Sequence, residues 1–323
     1  MRILITGITG FVGSHLTRLL QARQAVELVG LAREVDWSGE VDERFRRIPV
    51  HSLDLCDREA LRQLLERVQP QQIYHLAGFA DTGGSFKDPE AAWTGNLTAT
   101  RSLYETIASW GGRPRILFVG SGAVYGEPEN AGCPLSETSP LRPNNPYAAS
   151  KAAADLVSYQ YHRTHGLEII RTRPFNHIGP GQSARFAVPN FARQIAMIEL
   201  ERQAPVLHVG NLDTERDLTD VRDVVRAYEL LMTKGQAGEV YNIATGVAAP
   251  VRMHLEKLLA FSRVLVRIEP DPELLRKVDT AAVRVDISRL RRTTGWSSQY
   301  ALDQTLADTL SYWRRMAKDS PLK

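Results

Sequence analysis

Arg2-Ile3-Leu4-Ile5-Thr6-Gly7-Ile8-Thr9-Gly10-Phe11-Val12-Gly13 is the stretch on which the fold turns. The apolar run Arg2–Thr6 reads as a strand, and an amphipathic helical stretch follows from Phe11 to Arg23. Between them, glycines at 7, 10 and 13 allow a tight turn. They also let the backbone approach a pyrophosphate lying over the helix N-terminus. The Gly-x-x-Gly-x-x-Gly spacing is one residue longer at its start than the common dinucleotide fingerprint. At the first strand–helix junction of an alternating α/β chain, such a turn points to a nucleotide cofactor.

Outward from that junction the alternation continues. Strands are predicted at Glu27–Leu31, Gln72–Leu76, Ile116–Gly120 and Glu168–Arg173. Helices are predicted at Arg58–Gln69, Pro89–Trp110 and Tyr147–His165, with Leu61, Leu64, Leu65 and Val68 marking the helical period. This is the pattern of a Rossmann-type doubly wound parallel sheet, an α/β fold whose ligands sit beyond the carboxyl ends of the strands. After Arg173 the pattern loosens. Asn176–Ala187 is rich in Gly, Pro and polar residues, and helices are expected at 189–202, 220–234, 253–262 and 301–318. Strands are expected at Val206–Val209, Glu239–Ile243 and Val264–Ile268. The reading is a cofactor-binding domain over 1–173, to which 217–245 return. A smaller C-terminal α/β substrate lobe is built mainly from 174–216 and 246–323.

The 323 residues are 43% hydrophobic and 24% charged, as in a soluble globular protein. A net charge of +3 with scattered Lys and Arg gives no reason to expect nucleic acid as a partner. Two cysteines, Cys56 and Cys133, suggest neither a disulfide framework nor a zinc site, and the eight histidines show no ligand spacing. No metal is expected. No apolar run is long enough to span a bilayer, and no signal-peptide pattern precedes the first strand. The expected location is cytoplasmic, with no membrane partner.

The end of the second strand bears on the cofactor. NAD sites usually place an acid there for the ribose 2′-hydroxyl. Here Gly30-Leu31-Ala32-Arg33 ends on a guanidinium suited to a 2′-phosphate, while Glu34 or Asp36 remain within reach of the ribose. NADPH is expected, with NADH left open. Asp54 and Leu55 suit the adenine pocket. Leu76-Ala77-Gly78 suits close backbone packing beside the pyrophosphate and nicotinamide ribose.

Tyr147-Ala148-Ala149-Ser150-Lys151 puts a phenol and an ammonium on one helix face. A cation beside a phenol favours phenolate, so the Tyr147 pKa is expected below its reference of about 10. Such a tyrosine exchanges a proton with a substrate oxygen as hydride moves to or from the adjacent carbon. Ser121 lies upstream in Gly120-Ser121-Gly122-Ala123-Val124-Tyr125-Gly126.

With these parts in order the chain resembles the extended short-chain dehydrogenase/reductase family over nearly its whole length. Thr6–Gly13, Ser121, Tyr147 and Lys151 fill the family's glycine turn, Ser/Thr and Tyr-x-x-x-Lys positions. The segments Arg173–Gln182 and Val209–Asp217 look like those of members acting on GDP-linked 6-deoxy sugars. The resemblance implies that Asn176 and Arg216 contact a GDP diphosphate and that Arg276 lies near the phosphates or sugar. Where the family often has Arg-Pro-x-Glu, this chain has Arg276-Lys277-Val278-Asp279.

The family's dehydratases carry an acid/base carboxylate in the loop after the Ser/Thr. Here that position is Ala123, which transfers no proton. The implied reaction is therefore NADPH-dependent reduction of the C4 ketone of a GDP-linked 4-keto-6-deoxy sugar. Ser121, Tyr147 and Lys151 would be catalytic. A 4,6-dehydratase is the nearest alternative. An epimerase, which recycles its hydride and usually binds NAD tightly, fits Ala32-Arg33 less well, and a non-catalytic redox sensor commonly loses the Tyr or the Lys. Family members commonly pair the Tyr147-bearing helix and the long helix before it with their mates, so a homodimer is expected.

Overall fold

The computed structural model describes residues 1–37, 43–127, 133–275 and 283–319. Seven parallel strands form the central sheet. Six are β1 (Arg2–Thr6), β2 (Glu27–Ala32), β3 (Val50–Ser52), β4 (Gln72–His75), β5 (Arg115–Val119) and β6 (Glu168–Pro174), and the seventh is Val240–Ile243. From one edge the order runs Val240–Ile243, β6, β5, β4, β1, β2, β3. The chain thus winds one way from β1 through β3, then starts again on the other side of β1 with β4. The crevice for a ligand opens where that order reverses, beyond the carboxyl ends of β1 and β4. There Thr6 pairs with His75.

Because successive strand residues face opposite sides, one strand feeds two cores. Ile3 and Ile5 face a layer made by α1 (Phe11–Gln21) and, later in the chain, the helix Val221–Lys234. Leu4 faces the other layer, which includes α3 (Arg58–Val68), whereas α2 (Glu43–Arg46), before β3, lies against α1 with Arg18 over the Phe45 ring. Leu61, Leu64, Leu65 and Val68 of α3 are all buried in that second core, as their spacing predicts. The long helix expected at Pro89–Trp110 is continuous but not uniform. It comprises α4 (Pro89–Trp93), a π-helical turn at Thr94–Thr98 and α5 (Ala99–Trp110). Next to it packs α6 (Pro146–His165), capped by the Asn145 side chain, which accepts from the amide of Ala148.

The chain beyond β6 builds a separate apolar core. Its helices are α7 (Ala187–Glu199), α8 (Val221–Lys234), α9 (Val251–Leu259), α10 (Ser288–Thr294) and α11 (Leu302–Asp319). Of these, α8 returns to the sheet, whereas Phe191, Ile195, Leu255, Leu258, Leu306 and Leu310 from α7, α9 and α11 cluster together. Short strand pairs complete this region: Val206–Val209 with Arg267–Pro270, and Glu215–Asp217 with Ala248–Pro250. The strand expected at Val264–Ile268 lies three residues later. Ser262 and Val264 form a local turn through the Ser262 hydroxyl, and pairing starts only at Arg267 opposite Val206. The β3 strand and α10 were not legible, being too short for their periodicity to show.

Candidate active site

The glycine turn is held by backbone contacts that exclude side chains. Gly7 sits at φ +72°, and a Cβ there would stand 2.8 Å from the amide nitrogen of Ala77. A Cβ on Gly13 would stand 2.3 Å from the carbonyl oxygen of Gly7. Gly10 is the N-cap of α1 and supplies no side-chain cap, which leaves the first amides of α1, from Phe11 and Val12 onward, facing outward. This cradle fits a dinucleotide diphosphate, whose charge the helix end favours. At the adenosine end, Arg33, Glu34 and Asp36 are all exposed. The Arg33 carbonyl is fastened by the Ser52 hydroxyl at 2.7 Å, so its guanidinium is presented from a fixed backbone. Asp54 is exposed and Leu55 is buried beneath it.

Beyond β4 a chain of hydrogen bonds runs from the glycine turn to α6. The Thr6 hydroxyl accepts from the amide of Ala77 and meets His75 Nδ1 at 2.8 Å. His75 Nε2 meets the Thr100 hydroxyl at 2.9 Å, and that hydroxyl donates to the carbonyl of Asn96. Since Thr100 has one proton and spends it on Asn96, His75 carries its own proton on Nε2 and accepts from Thr6 on Nδ1. Burial pushes His75 down to about 3, so the ring is neutral. Asn96 lies in the π turn, accepts from the amide of Phe79 and donates to the Ser150 hydroxyl at 2.9 Å. Ser150 donates in turn to the carbonyl of Tyr147. Sequence reasoning missed Asn96. The signal was Gly95-Asn96 inside a helical pattern, since an interior glycine marks an irregular turn and π turns gather at functional sites.

Ser121, Tyr147 and Lys151 converge at the carboxyl end of β5. The Ser121 hydroxyl accepts from the amide of Ala123 at 3.1 Å and lies near the Tyr147 phenol. Lys151 is buried, and its Nζ donates to the Val119 carbonyl at 2.9 Å. Burial lowers the Lys151 ammonium to about 8. The Tyr147 phenol differs from expectation. Burial raises it above its ordinary value, with the nearby Ser121 hydroxyl pulling the other way. The lysine ammonium is engaged with the Val119 carbonyl and lies close to Gly78, where a Cβ would stand 3.3 Å from Nζ. Tyr147 therefore holds its proton at neutral pH.

Behind these groups, buried Asp155 of α6 accepts from Arg171 Nη1 at 2.6 Å and Arg173 Nε at 2.8 Å, both on β6. Arg173 also donates to the Tyr125 hydroxyl, which donates to Asn242. The network fixes α6 and the Ser121–Tyr125 turn to the sheet. Ala123, half-buried, lies in that turn, so its position holds no carboxylate.

On the other side of the cleft Asn176 is exposed and Arg216 half-buried, its Nη1 donating to the Glu215 carbonyl. Arg276, with the rest of Arg276-Lys277-Val278-Asp279, lies outside the described residues. The Asn176–Ala187 segment is anchored to the glycine turn. The Phe11 ring stacks on His177 at 6.0 Å, and His15 Nε2 lies 2.8 Å from the Pro180 carbonyl oxygen.

A parallel sheet with a glycine turn after β1 and a Ser–Tyr–Lys cluster two strands away, at the end of β5, defines an extended short-chain dehydrogenase/reductase. The chain belongs to the GDP-mannose 4,6 dehydratase family, whose sequence profile matches residues 4–309. It is 35% identical to the GDP-6-deoxy-D-mannose reductase of Pseudomonas aeruginosa, covering 98% of this chain and 99% of that one. The structure of RMD from Pseudomonas aeruginosa complexed with NADPH superposes with a TM-score of 0.86 at 34% identity, over 98% of this chain and 99% of that one. The Thermus thermophilus UDP-glucose 4-epimerase in complex with NAD follows with a TM-score of 0.85 at 28% identity, over 97% and 99%.

Proposed function

We propose that the protein reduces the C4 ketone of GDP-4-keto-6-deoxy-D-mannose with NADPH, yielding GDP-D-rhamnose. Residues 1–173, with 217–245, would bind the cofactor, and the remaining segments the sugar nucleotide. The observation that carries the reading is a protonated Tyr147 near Ser121 and on the helix face of Lys151, with alanine at position 123 of the turn that Ser121 caps. The P. aeruginosa reductase supplies the substrate class and the NADPH complex the cofactor.

The bound nicotinamide supplies hydride to C4. Tyr147 donates its proton to O4, and Ser121 hydrogen-bonds the oxygen as it gains negative charge. Lys151, held by the Val119 carbonyl next to Gly78, is placed to hydrogen-bond the nicotinamide ribose. The amides of Phe11 and Val12 hold the dinucleotide diphosphate, Asp54 and Leu55 flank the adenine, and Arg33 meets the 2′-phosphate. Asn176 and Arg216 grip the sugar diphosphate. Reduction needs one proton and one hydride, whereas a 4,6-dehydratase must also remove a C5 proton and expel the C6 hydroxyl. Ala123 does neither.

The test is a product assay. Given the 4-keto sugar, the protein consumes NADPH in preference to NADH and makes a 6-deoxyhexose identified by NMR. Formation of the 4-keto product from GDP-mannose with catalytic NADP would instead establish the dehydratase named by the family profile. We place the enzyme in the cytoplasm as a homodimer. Leu156 and Tyr159 stay exposed on α6, an apolar surface a second copy would cover. Light scattering on Leu156→Glu, giving a monomer where the parent is a dimer, checks this.

A further inference from the structure

Asp81 Oδ2 and Arg185 Nη1 meet at 3.3 Å across 104 residues of chain. Each sits on a loop that starts at a catalytic group. The first loop follows β4, passes Gly78, which lies close to Lys151 Nζ, and reaches Asp81 three residues further on. Its geometry there is set by the carboxylate itself, because Asp81 Oδ1 accepts from the amide of Gly84. The second loop begins at Phe175, whose ring fills the space a Cβ on Gly122 would need, at 2.7 Å, next to Ser121. It passes the exposed Asn176 and ends at Arg185, two residues before α7 begins. The ion pair therefore closes a ring of chain running Lys151, Gly78, Asp81, Arg185, Phe175, Gly122 and Ser121.

We propose that Asp81 and Arg185 form a latch across the mouth of the catalytic cleft, joining the cofactor-side loop to the lobe-side loop. The pair is made to open. The Arg185 side chain is 75% exposed and Asp81 33%, and a surface pair joined by a single contact holds weakly. The contact joins one guanidinium N–H to one carboxylate oxygen. Closure slows escape of whatever occupies the cleft, and opening admits its successor. What occupies the cleft rests on the function proposed above, but the latch itself follows from the two loops.

The test uses NADPH as a fluorescent probe, so it does not depend on the sugar. Stopped-flow displacement gives the NADPH dissociation rate for the parent protein, Asp81→Asn, Arg185→Ala, the double variant, and the charge-swapped Asp81→Arg/Arg185→Asp. Each neutralised variant releases NADPH about two- to five-fold faster, as an exposed pair permits. The double variant is no faster than either single one, and the swapped pair recovers slow release. Raising the salt to about 0.5 M brings the parent to the variants' rate, since exposed charges are then screened. Unchanged rates, or single effects that multiply in the double variant, would overturn the latch. Failure of NADPH to bind the parent would overturn the cofactor assignment instead.

Discussion

On the cofactor side of the cleft the chain packs backbone against backbone, whereas on the lobe side it reaches out with side chains. Gly7 and Gly13 touch the Ala77 amide and the Gly7 carbonyl so closely that no Cβ fits, and buried Thr6, His75, Thr100 and Asn96 are each tied to the next by hydrogen bonds. Across the cleft Asn176 is exposed, Arg216 is half-buried on the short strand Glu215–Asp217, and Arg185 reaches from a loop. A shared cofactor demands one geometry, and backbone is the stiffest means of supplying it. Side chains on loops and short strands can be exchanged without disturbing the fold.

That contrast breaks most sharply at Tyr147. Tyr147→Phe is expected to cut turnover about 1,000-fold through loss of the proton donor, with NADPH binding by fluorescence left intact. Full turnover in this variant would remove the central claim.

Gly13→Ala comes next, because its Cβ meets a carbonyl oxygen at 2.3 Å and backbone must give way. A stability loss of about 1–3 kcal/mol with weakened NADPH binding is expected, read by denaturant unfolding and titration. Arg216→Ala should destabilise less than Gly13→Ala and raise KM for the sugar nucleotide. If the two variants unfold alike, the difference between the two sides of the cleft disappears.

Acid sharpens the comparison further. Burial holds His75 at about 3 and His15 at about 4, both below the ordinary 6.5. The unfolded chain therefore takes up protons below pH 6.5 that the folded chain refuses. Stability is complete above pH 6.5 and falls as pH drops toward 4, by about 1.4 kcal/mol per pH unit for each histidine. A denaturant midpoint that is the same at pH 7 and pH 5 would contradict the buried neutral network.

A smaller effect is expected at Arg33. Arg33→Ala should lower the preference for NADPH over NADH about tenfold, as loss of a charge-assisted contact implies. Equal use of both cofactors by the parent protein would assign the ribose to Glu34 or Asp36.

Much of this was written locally. Period and glycine spacing alone mark β1, α1 and α3, and Tyr147 and Lys151 share a face of α6 because a helix places i and i+4 together. The irregular turn at Asn96 and the short strand Val50–Ser52 were hidden, since neither carries enough residues to show a period. The Asp81–Arg185 pair joins positions whose separation along the chain bears no relation to their distance in space.

Local spacing suffices for the α/β order, the nucleotide turn and the chemical identity of the Ser–Tyr–Lys cluster. The charge states of that cluster come from the folded packing. Sequence proximity suggested that Lys151 would depress the Tyr147 phenol, yet the folded chain turns the ammonium to the Val119 carbonyl and buries the phenol against Ser121. Desolvation depends on everything packed around a group, and no local motif encodes that.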